Sequence, residues 1–168
     1  LVAPGGEKTI DPPNIVSGPS GTYLVYQDEN VILNDRIAVA KFQPDPLNLA
    51  NSRFAAPVLV DGTADDSAQS LSDAAEDTDG RIHLIWNGGN RIRYAVSSDG
   101  GASFQTLGTL LADASPTTKD FAAGPAGKGW MVYVADSTTV KLIPLEPSAD
   151  PLPAPTPTTT PTPPATPS

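Results

Sequence analysis

The turn that decides the fold of this chain is Ser97-Ser98-Asp99-Gly100-Gly101-Ala102-Ser103-Phe104. Its small, polar and glycine residues are typical of a tight turn between two antiparallel strands. A short carboxylate such as Asp99 can accept hydrogen bonds from backbone N–H groups inside the turn. Gly101 can take a positive φ without a Cβ clash, and we expect Phe104 to bury its ring as the chain re-enters a sheet. The stretch therefore predicts a structural hairpin.

Predicted strand pairs recur three times along the chain. The first strand of each pair covers residues 22–26, 82–86 and 129–133, and the second covers 36–40, 91–95 and 139–143. In the first strands, one face carries Leu24, Leu84 and Met131, and the other carries Val25, Ile85 and Val132. Apolar residues on both faces predict strands that lie between two layers. The residues expected to face inward at matching positions of the second strands are Ile37, Ile92 and Val140.

Further strands complete each unit. A leading strand is expected near residues 13–16, 71–75 and 120–123, and outer strands are expected at 56–60 and 106–111. Units of about 50 residues with four strands match the blades of a β-propeller. We therefore predict an all-β, propeller-like domain over residues 1–146, an array of about three four-stranded antiparallel blades that is incomplete at both ends. The blades are placed at residues 12–62, 70–112 and 118–146.

Both ends of this array are expected to be open. Leu1-Val2 resembles the last residues of an outer strand, so the chain is expected to begin inside one blade. The third unit reaches Leu145 and then Pro147 without an outer strand of its own. Because an open sheet edge invites pairing with another chain, neighbouring copies are expected to cover these ends.

The turn at residues 97–104 also carries a family resemblance. Ser97, Asp99, Gly101 and Phe104 meet the pattern Ser/Thr-x-Asp-x-Gly-x-x-Trp/Phe, and the stretch thereby resembles the Asp-box of the BNR repeats in sialidase-like β-propellers. The resemblance implies a structural role for these four residues. The resemblance also implies glycoside hydrolysis as a candidate activity. In sialidases this reaction depends on a Tyr nucleophile and on three arginines that bind the substrate carboxylate.

The catalytic positions of that family are not matched. The five arginines stand at positions 36, 53, 81, 91 and 93, and the nearest approach to the family's Arg-Ile-Pro signature is Arg36-Ile37-Ala38. We therefore assign no catalytic residue and expect the chain not to be an enzyme. No Gly-rich phosphate loop is present, since the Gly88-Gly89 and Gly100-Gly101 pairs belong to turns.

Composition restricts the partners. The net charge is −9, which disfavours nucleic acid because phosphate binding needs clustered Lys and Arg. No apolar run approaches the roughly 18 residues of a membrane span. The chain has no cysteine and one histidine, His83, so a zinc site is not expected and no cofactor is predicted. His83 matches Tyr23 and Trp130 in the repeat, which favours a packing role.

A calcium site is the one metal candidate. Asp77, Asp79 and Gly80 match the middle of an EF-hand loop, although Ala75 stands at the first ligand position. The alternative is a simple hairpin turn at Asp79-Gly80, which this dipeptide favours ahead of a strand.

The C-terminal segment 147–168 consists almost entirely of Pro, Thr, Ala and Ser. Such a segment cannot offset its ordering entropy with buried apolar surface and favours polyproline II. It resembles the stalks of secreted bacterial proteins, which predicts an extracellular or bacterial cell-surface location. The candidate O-glycosylation sites are Thr156, Thr158, Thr159, Thr160, Thr162 and Thr166.

The function that fits these features is a non-catalytic extracellular structural or interaction domain. Its expected partners are other copies of itself, in an oligomer or a surface fibre, because heterologous contacts give rings or filaments. Two alternatives remain: a fragment of a sialidase-like exo-glycosidase, and a lectin-like module that binds cell-surface glycans. In the second, the aromatic candidates for sugar stacking are Trp86, Trp130, Tyr94 and Tyr133, whose repeat spacing also favours packing between blades.

Overall fold

The computed structural model describes residues 12–28, 36–60, 69–88, 91–111, 119–135 and 139–145; the side chains of residues 69–72, 111 and 126 are outside that description. The strand remnant predicted at Leu1-Val2 and the tail with its candidate threonines lie outside the described residues.

The first sheet is antiparallel and has five strands. They are β1 (Asn14–Gly18), β2 (Gly21–Asp28), β3 (Arg36–Gln43), β4 (Arg53–Phe54) and β5 (Val58–Leu59). The order is β1-β2-β3-β4, and β5 also pairs with β3. The outer strand predicted at 56–60 is observed as the short β5, and β4 precedes the predicted range. Pro57, which has no N–H to donate, lies between β4 and β5 and explains the interruption between them.

The second sheet has four antiparallel strands in sequence order. They are β6 (Gln69–Glu76), β7 (Ile82–Gly88), β8 (Arg91–Ser97) and β9 (Gln105–Leu111). The register of β6 against β7 shifts between Leu71 and Asp73, which marks a β-bulge.

The third sheet has three antiparallel strands in the described part of the chain. They are β10 (Lys119–Ala123), β11 (Gly129–Val134) and β12 (Val140–Leu145). The described residues include no α-helix; short 3₁₀ turns occur at Leu49–Asn51 and Pro125–Gly127. The prediction of an all-β fold with three antiparallel sheets is therefore confirmed.

The sheets pack face to face in sequence order. Sheets 1 and 2 share an apolar core formed by Val16, Tyr23, Val25, Ile37, Val39, Val60, Ile82, Leu84, Trp86 and Ala95. Sheets 2 and 3 share a second core formed by Ile85, Ile92, Tyr94, Val96, Phe121, Met131, Tyr133 and Leu145. The leading strands meet as well, since β6 contacts both β1 and β10.

The two interfaces repeat one orientation. Val25 and Ile37 of sheet 1 face sheet 2, and the matching Ile85 and Ile92 of sheet 2 face sheet 3. The faces of the sheets thus follow the internal repeat of the sequence. In sheet 3, the position that matches Val25 and Ile85 is Val132, on the face turned away from sheet 2.

Two expectations about sheet 3 are wrong. The repeat predicts that Val140 faces inward and that Trp130 packs between layers, but Val140 is 67% exposed and Trp130 is 40% exposed. Both side chains hold the orientation that the repeat requires. They are exposed because, among the described residues, no further sheet packs on that face.

Candidate functional site

The turn at residues 97–104 is closed by side-chain hydrogen bonds. Ser97 Oγ donates to Asp99 Oδ1 over 2.8 Å and accepts from the N–H of Gly101 over 2.9 Å. Ser103 donates its N–H to Asp99 Oδ1 over 2.9 Å and its hydroxyl to Asp99 Oδ2 over 2.6 Å. Asp99 therefore holds both sides of the turn, as the sequence predicts for a structural carboxylate.

Backbone conformation in this turn requires glycine. Gly100 and Gly101 have φ of +69° and +83°, and the positive φ predicted for Gly101 is confirmed. A Cβ at Gly101 would also lie 3.0 Å from Cε1 of Tyr23 in sheet 1. The position is thus constrained both by its own backbone and by the neighbouring sheet.

The turn also joins sheet 2 to sheet 1. The Tyr23 hydroxyl lies 3.1 Å from the carbonyl oxygen of Gly100 and 3.0 Å from that of Ser20. Lys41 Nζ lies 5.4 Å from the centroid of the Tyr23 ring, within the range of a cation–π interaction. Phe104 is half-buried against the core between these two sheets. The turn therefore stabilises an interface between sheets as well as its own hairpin.

The electrostatics of Asp99 suit this role. Burial acts to raise the pKa of its carboxyl group, but hydrogen bonds from Ser103, Ser97 and backbone N–H groups outweigh it and lower the pKa. The carboxylate stays charged at neutral pH and accepts hydrogen bonds from Ser97 and from both donors of Ser103.

A second polar cluster lies inside sheet 2 and consists of Asp77, His83 and Tyr94. Asp77 Oδ1 accepts from the N–H groups of Asp79 and Arg81, each over 2.9 Å. Asp77 Oδ2 lies 3.1 Å from His83 Nε2, and His83 Nδ1 lies 2.7 Å from the Tyr94 hydroxyl. All three cluster residues are buried.

Protonation in this cluster follows from its surroundings. Burial acts to raise the pKa of Asp77, but hydrogen bonds from Arg81 and His83 prevail and lower it, so the group is a carboxylate. Burial lowers the pKa of His83 despite the opposing effect of Asp77. A neutral His83 then donates from Nε2 to Asp77 and accepts at Nδ1 from Tyr94.

The order carboxylate, imidazole, hydroxyl is the order used to activate a nucleophile. Here burial raises the pKa of Tyr94, which keeps its hydroxyl protonated. The Phe121 ring of sheet 3 packs 6.0 Å from the His83 ring and 6.5 Å from the Tyr94 ring, measured between centroids. The cluster thus positions aromatic rings at the interface of sheets 2 and 3, which agrees with the packing role expected for His83.

The calcium candidates Asp77 and Asp79 lie in a hairpin turn. Gly80 has φ of +80°, and its N–H donates to the Asp77 carbonyl over 3.1 Å. Both carboxylate oxygens of Asp77 are engaged by donors, and Asp79 Oδ2 lies 3.8 Å from an Arg81 guanidinium nitrogen. Within the described ranges, no group of three or more His, Cys, Asp or Glu side chains could hold a metal ion.

Two carboxyl groups of β6 that the sequence analysis did not single out link the sheets. Asp73 Oδ2 accepts from the N–H of Phe121 in sheet 3 over 3.0 Å, and the same N–H lies 2.9 Å from Asp120 Oδ1. Burial, together with the neighbouring Asp120 carboxyl group, raises the pKa of Asp73. Glu76 Oε1 accepts from the N–H of Ser20 in the turn between β1 and β2 of sheet 1. An acidic residue inside a leading strand is the sequence signal that singles out these two groups, and it does not indicate their partners.

The aromatic residues considered for sugar stacking divide into two groups. Trp86, Tyr94 and Tyr133 are buried in the cores between sheets, as their repeat spacing predicts. Trp130 alone among these four is exposed. It belongs to the outer surface of sheet 3.

That surface, called the end face here, is formed by three cross-strand pairs of β11 and β12. The pairs are Trp130 with Pro144, Val132 with Leu142, and Val134 with Val140. Exposure reaches 63% at Leu142 and 67% at Val140, against 39% at Val134 and 40% at Trp130. The six side chains are apolar and lie on the side of sheet 3 away from sheet 2.

Comparison with known proteins finds no matching family model, and no curated protein matches the chain. In the part of the chain that the structure describes, no helix has the length and apolar character needed to cross a membrane.

Proposed function

We propose that this chain is a non-catalytic structural or interaction domain that associates with other copies of itself. The observation that carries the proposal is the end face of sheet 3. It presents six apolar side chains on one face of the sheet, among them Trp130, Val140 and Leu142. Soluble monomers rarely expose contiguous apolar patches of large size, and such patches mark sites of protein interaction.

The energetics favour covering this face. Burying a large apolar side chain contributes roughly 1.5–3 kcal/mol relative to leaving it in water. Several such side chains, buried together, offset the loss of translational and rotational freedom on association. A surface of two paired strands also suits sheet-on-sheet packing, in which inner side chains interdigitate across about 10 Å.

The polar clusters support a structural role. Asp99 and Asp77 direct their carboxylate oxygens to backbone N–H groups of their own turns and to side chains of the same sheet. Tyr23, Asp73 and Glu76 use their polar atoms to link neighbouring sheets. These groups therefore maintain the stack of sheets, and the proposal gives them no chemistry on a substrate.

We further propose a propeller-like relation between the sheets, in the class of sialidase-like Asp-box repeats. The support is the repeated packing orientation, the central position of β6 between β1 and β10, and the hydrogen-bonded turn at residues 97–104. The Pro- and Thr-rich composition of residues 147–168 supports an extracellular or cell-surface location.

The proposal is tested by measuring two properties of the whole chain. Sedimentation velocity between about 1 and 500 μM, the range of moderate self-affinities, is expected to show mass increasing with concentration. A fluorogenic sialoside assay on the same preparation is expected to show no turnover above buffer. A monomer at every concentration would contradict self-association, and sialoside turnover would favour the exo-glycosidase alternative.

A further inference from the structure

We infer that the end faces of two copies pack against each other about a twofold axis, so that the assembled species is a closed dimer. The inference rests on the proposed self-association and names its surface, its partner and its symmetry. It replaces the surface fibre expected from the sequence, which needs two different open ends.

The repeat shows what kind of surface fits the end face. Val25 in sheet 1 and Ile85 in sheet 2 lie on faces that pack against the next sheet. Val132 holds the matching place in sheet 3, and its cross-strand partner Leu142 is 63% exposed. In both places this face is buried against the opposite face of the next sheet, so the end face matches a surface that the molecule covers twice with an apolar β-sheet.

The opposite end of the stack does not offer that complement. On the outer face of sheet 1, Leu24 is 1% exposed and Tyr26 is 0% exposed within the single chain, and the neighbouring Ala38 and Ala40 are equally buried. Head-to-tail stacking would need this surface to be open. Among the described sheet faces, the end face is the one whose centre is accessible, so its partner is the same face of a second copy.

Two features of the end face bear on how it can dock. A Cβ at Gly124 would lie 2.6 Å from Cζ3 of Trp130, so the indole ring packs directly on that glycine. Pro144, in the same face, removes one backbone donor from β12. A proline in this strand disfavours pairing through the strand edge, so packing through the face is the better mode.

Charge predicts how such a dimer responds to salt. The six side chains of the end face are uncharged, β10 places the exposed Asp120 beside Val132 on the same side of sheet 3, and each chain carries a net charge of −9. Association therefore joins apolar surfaces against a general repulsion between two acidic molecules. Because salt screens that repulsion, we expect the dimer to strengthen as ionic strength rises, opposite to an interface made of ion pairs.

The test compares the wild-type chain with Leu142→Glu and a matched control, Ile15→Glu, by sedimentation velocity. Ile15 is 65% exposed and pairs with Leu24 across β1 and β2, which places it on the outer face of sheet 1. We expect the wild type to reach a dimer and no larger species, Leu142→Glu to weaken the dimer by at least about tenfold, the scale of one buried apolar contact, and Ile15→Glu to leave it unchanged.

Three outcomes overturn the inference and remain distinct from failure of the proposed function. If the chain forms open-ended oligomers, or if Ile15→Glu weakens association as much as Leu142→Glu, self-association stands and the twofold end-face contact is wrong. If Leu142→Glu has no effect on association, the surface is wrong. A wild type that stays monomeric contradicts both the inference and the proposed function.

A cross-link gives a second readout that does not depend on weakening the dimer. The chain has no cysteine, so Leu142→Cys introduces a single thiol on the end face. With a bis-maleimide cross-linker we expect a covalent dimer for Leu142→Cys and little for Ile15→Cys, since such a linker spans the separation of about 10 Å between two packed sheets, which a direct disulfide does not. Equal yields from the two variants would contradict a contact through the end face.

Discussion

At the scale of single residues, Asp99 stabilises the turn because its two oxygens accept from Ser97 and from both donors of Ser103. We expect Asp99→Ala to lower the free energy of unfolding by about 1–2 kcal/mol, the cost of losing a carboxylate that holds backbone donors. Thermal or urea unfolding followed by circular dichroism measures the change. The adjacent Ser98→Ala, at an exposed position of the same turn, is the control and should stay near wild type.

Gly101→Val should cost more than Asp99→Ala. Its φ of +83° is strained for a β-branched residue, and its Cβ would lie 3.0 Å from the Tyr23 ring. If Gly101→Val and Asp99→Ala both unfold at the wild-type midpoint, the structural role given to this turn is wrong.

His83 makes the folding stability of the chain depend on pH. Because burial lowers its pKa in the folded chain, the unfolded chain binds a proton first as pH falls below about 6.5, and folding stability should decrease there. His83→Phe removes this titration and leaves Asp77 and Tyr94 without their partner. We expect it to be roughly 1–3 kcal/mol less stable at pH 7 and to show a flatter stability profile between pH 7 and 5.5. An unchanged slope in that range would contradict a neutral, buried His83.

At the scale of elements, β6 links the three sheets through Asp73 and Glu76. The raised pKa of Asp73 means that the stability its protonated form contributes is present in acid and is lost as pH rises through the folded pKa. Asp73→Asn carries no charge beside Asp120 and keeps one acceptor oxygen for the N–H of Phe121, while its NH2 group replaces the oxygen that accepts from the neighbouring N–H of Ala74. We therefore expect it to raise the free energy of unfolding at pH 7 by about 0.5–1 kcal/mol.

Asp73→Ala is the matched control for this prediction. It removes the charge and the acceptor together, so it should not gain stability at pH 7 and should leave the Phe121 N–H with Asp120 alone as its acceptor. Urea unfolding at pH 7 and pH 4.5 distinguishes the two variants. A destabilised Asp73→Asn would contradict the unfavourable ionisation assigned to Asp73.

The strands could largely be predicted from the sequence because their signals are local. Paired apolar segments such as 22–26 and 82–86 repeat with turn residues between them, and alternation sets their faces. The links between sheets could not be predicted in this way. Asp73 meets Phe121 and Glu76 meets Ser20 across long sequence separations, so no local pattern indicates either contact.

Sheet 3 shows a second reason why a prediction from the sequence can fail. Val140 occupies the place that Ile37 and Ile92 fill in the other sheets, and sequence similarity alone predicts equal burial. Burial depends on the presence of a layer outside the strand, which the strand's own sequence does not encode. The repeat therefore predicted the orientation of Val140 correctly and its exposure wrongly.

At the scale of the whole molecule, the three sheets form a stack with unequal ends. Sheet 1 buries the centre of its outer face, and sheet 3 exposes the end face. The central claim is that this exposed face is an interface. Everything proposed about assembly depends on whether Trp130 and its neighbours lose contact with water when molecules meet.

Fluorescence of Trp130 tests that claim most directly. The chain has two tryptophans, so Trp86→Phe leaves Trp130 as the only one. As concentration rises, we expect its emission to shift to shorter wavelength and its quenching by acrylamide to fall, with Leu142→Glu in the same background abolishing both changes. Emission and quenching that stay constant up to a concentration of about 500 μM, where associations of moderate affinity are populated, would contradict the claim.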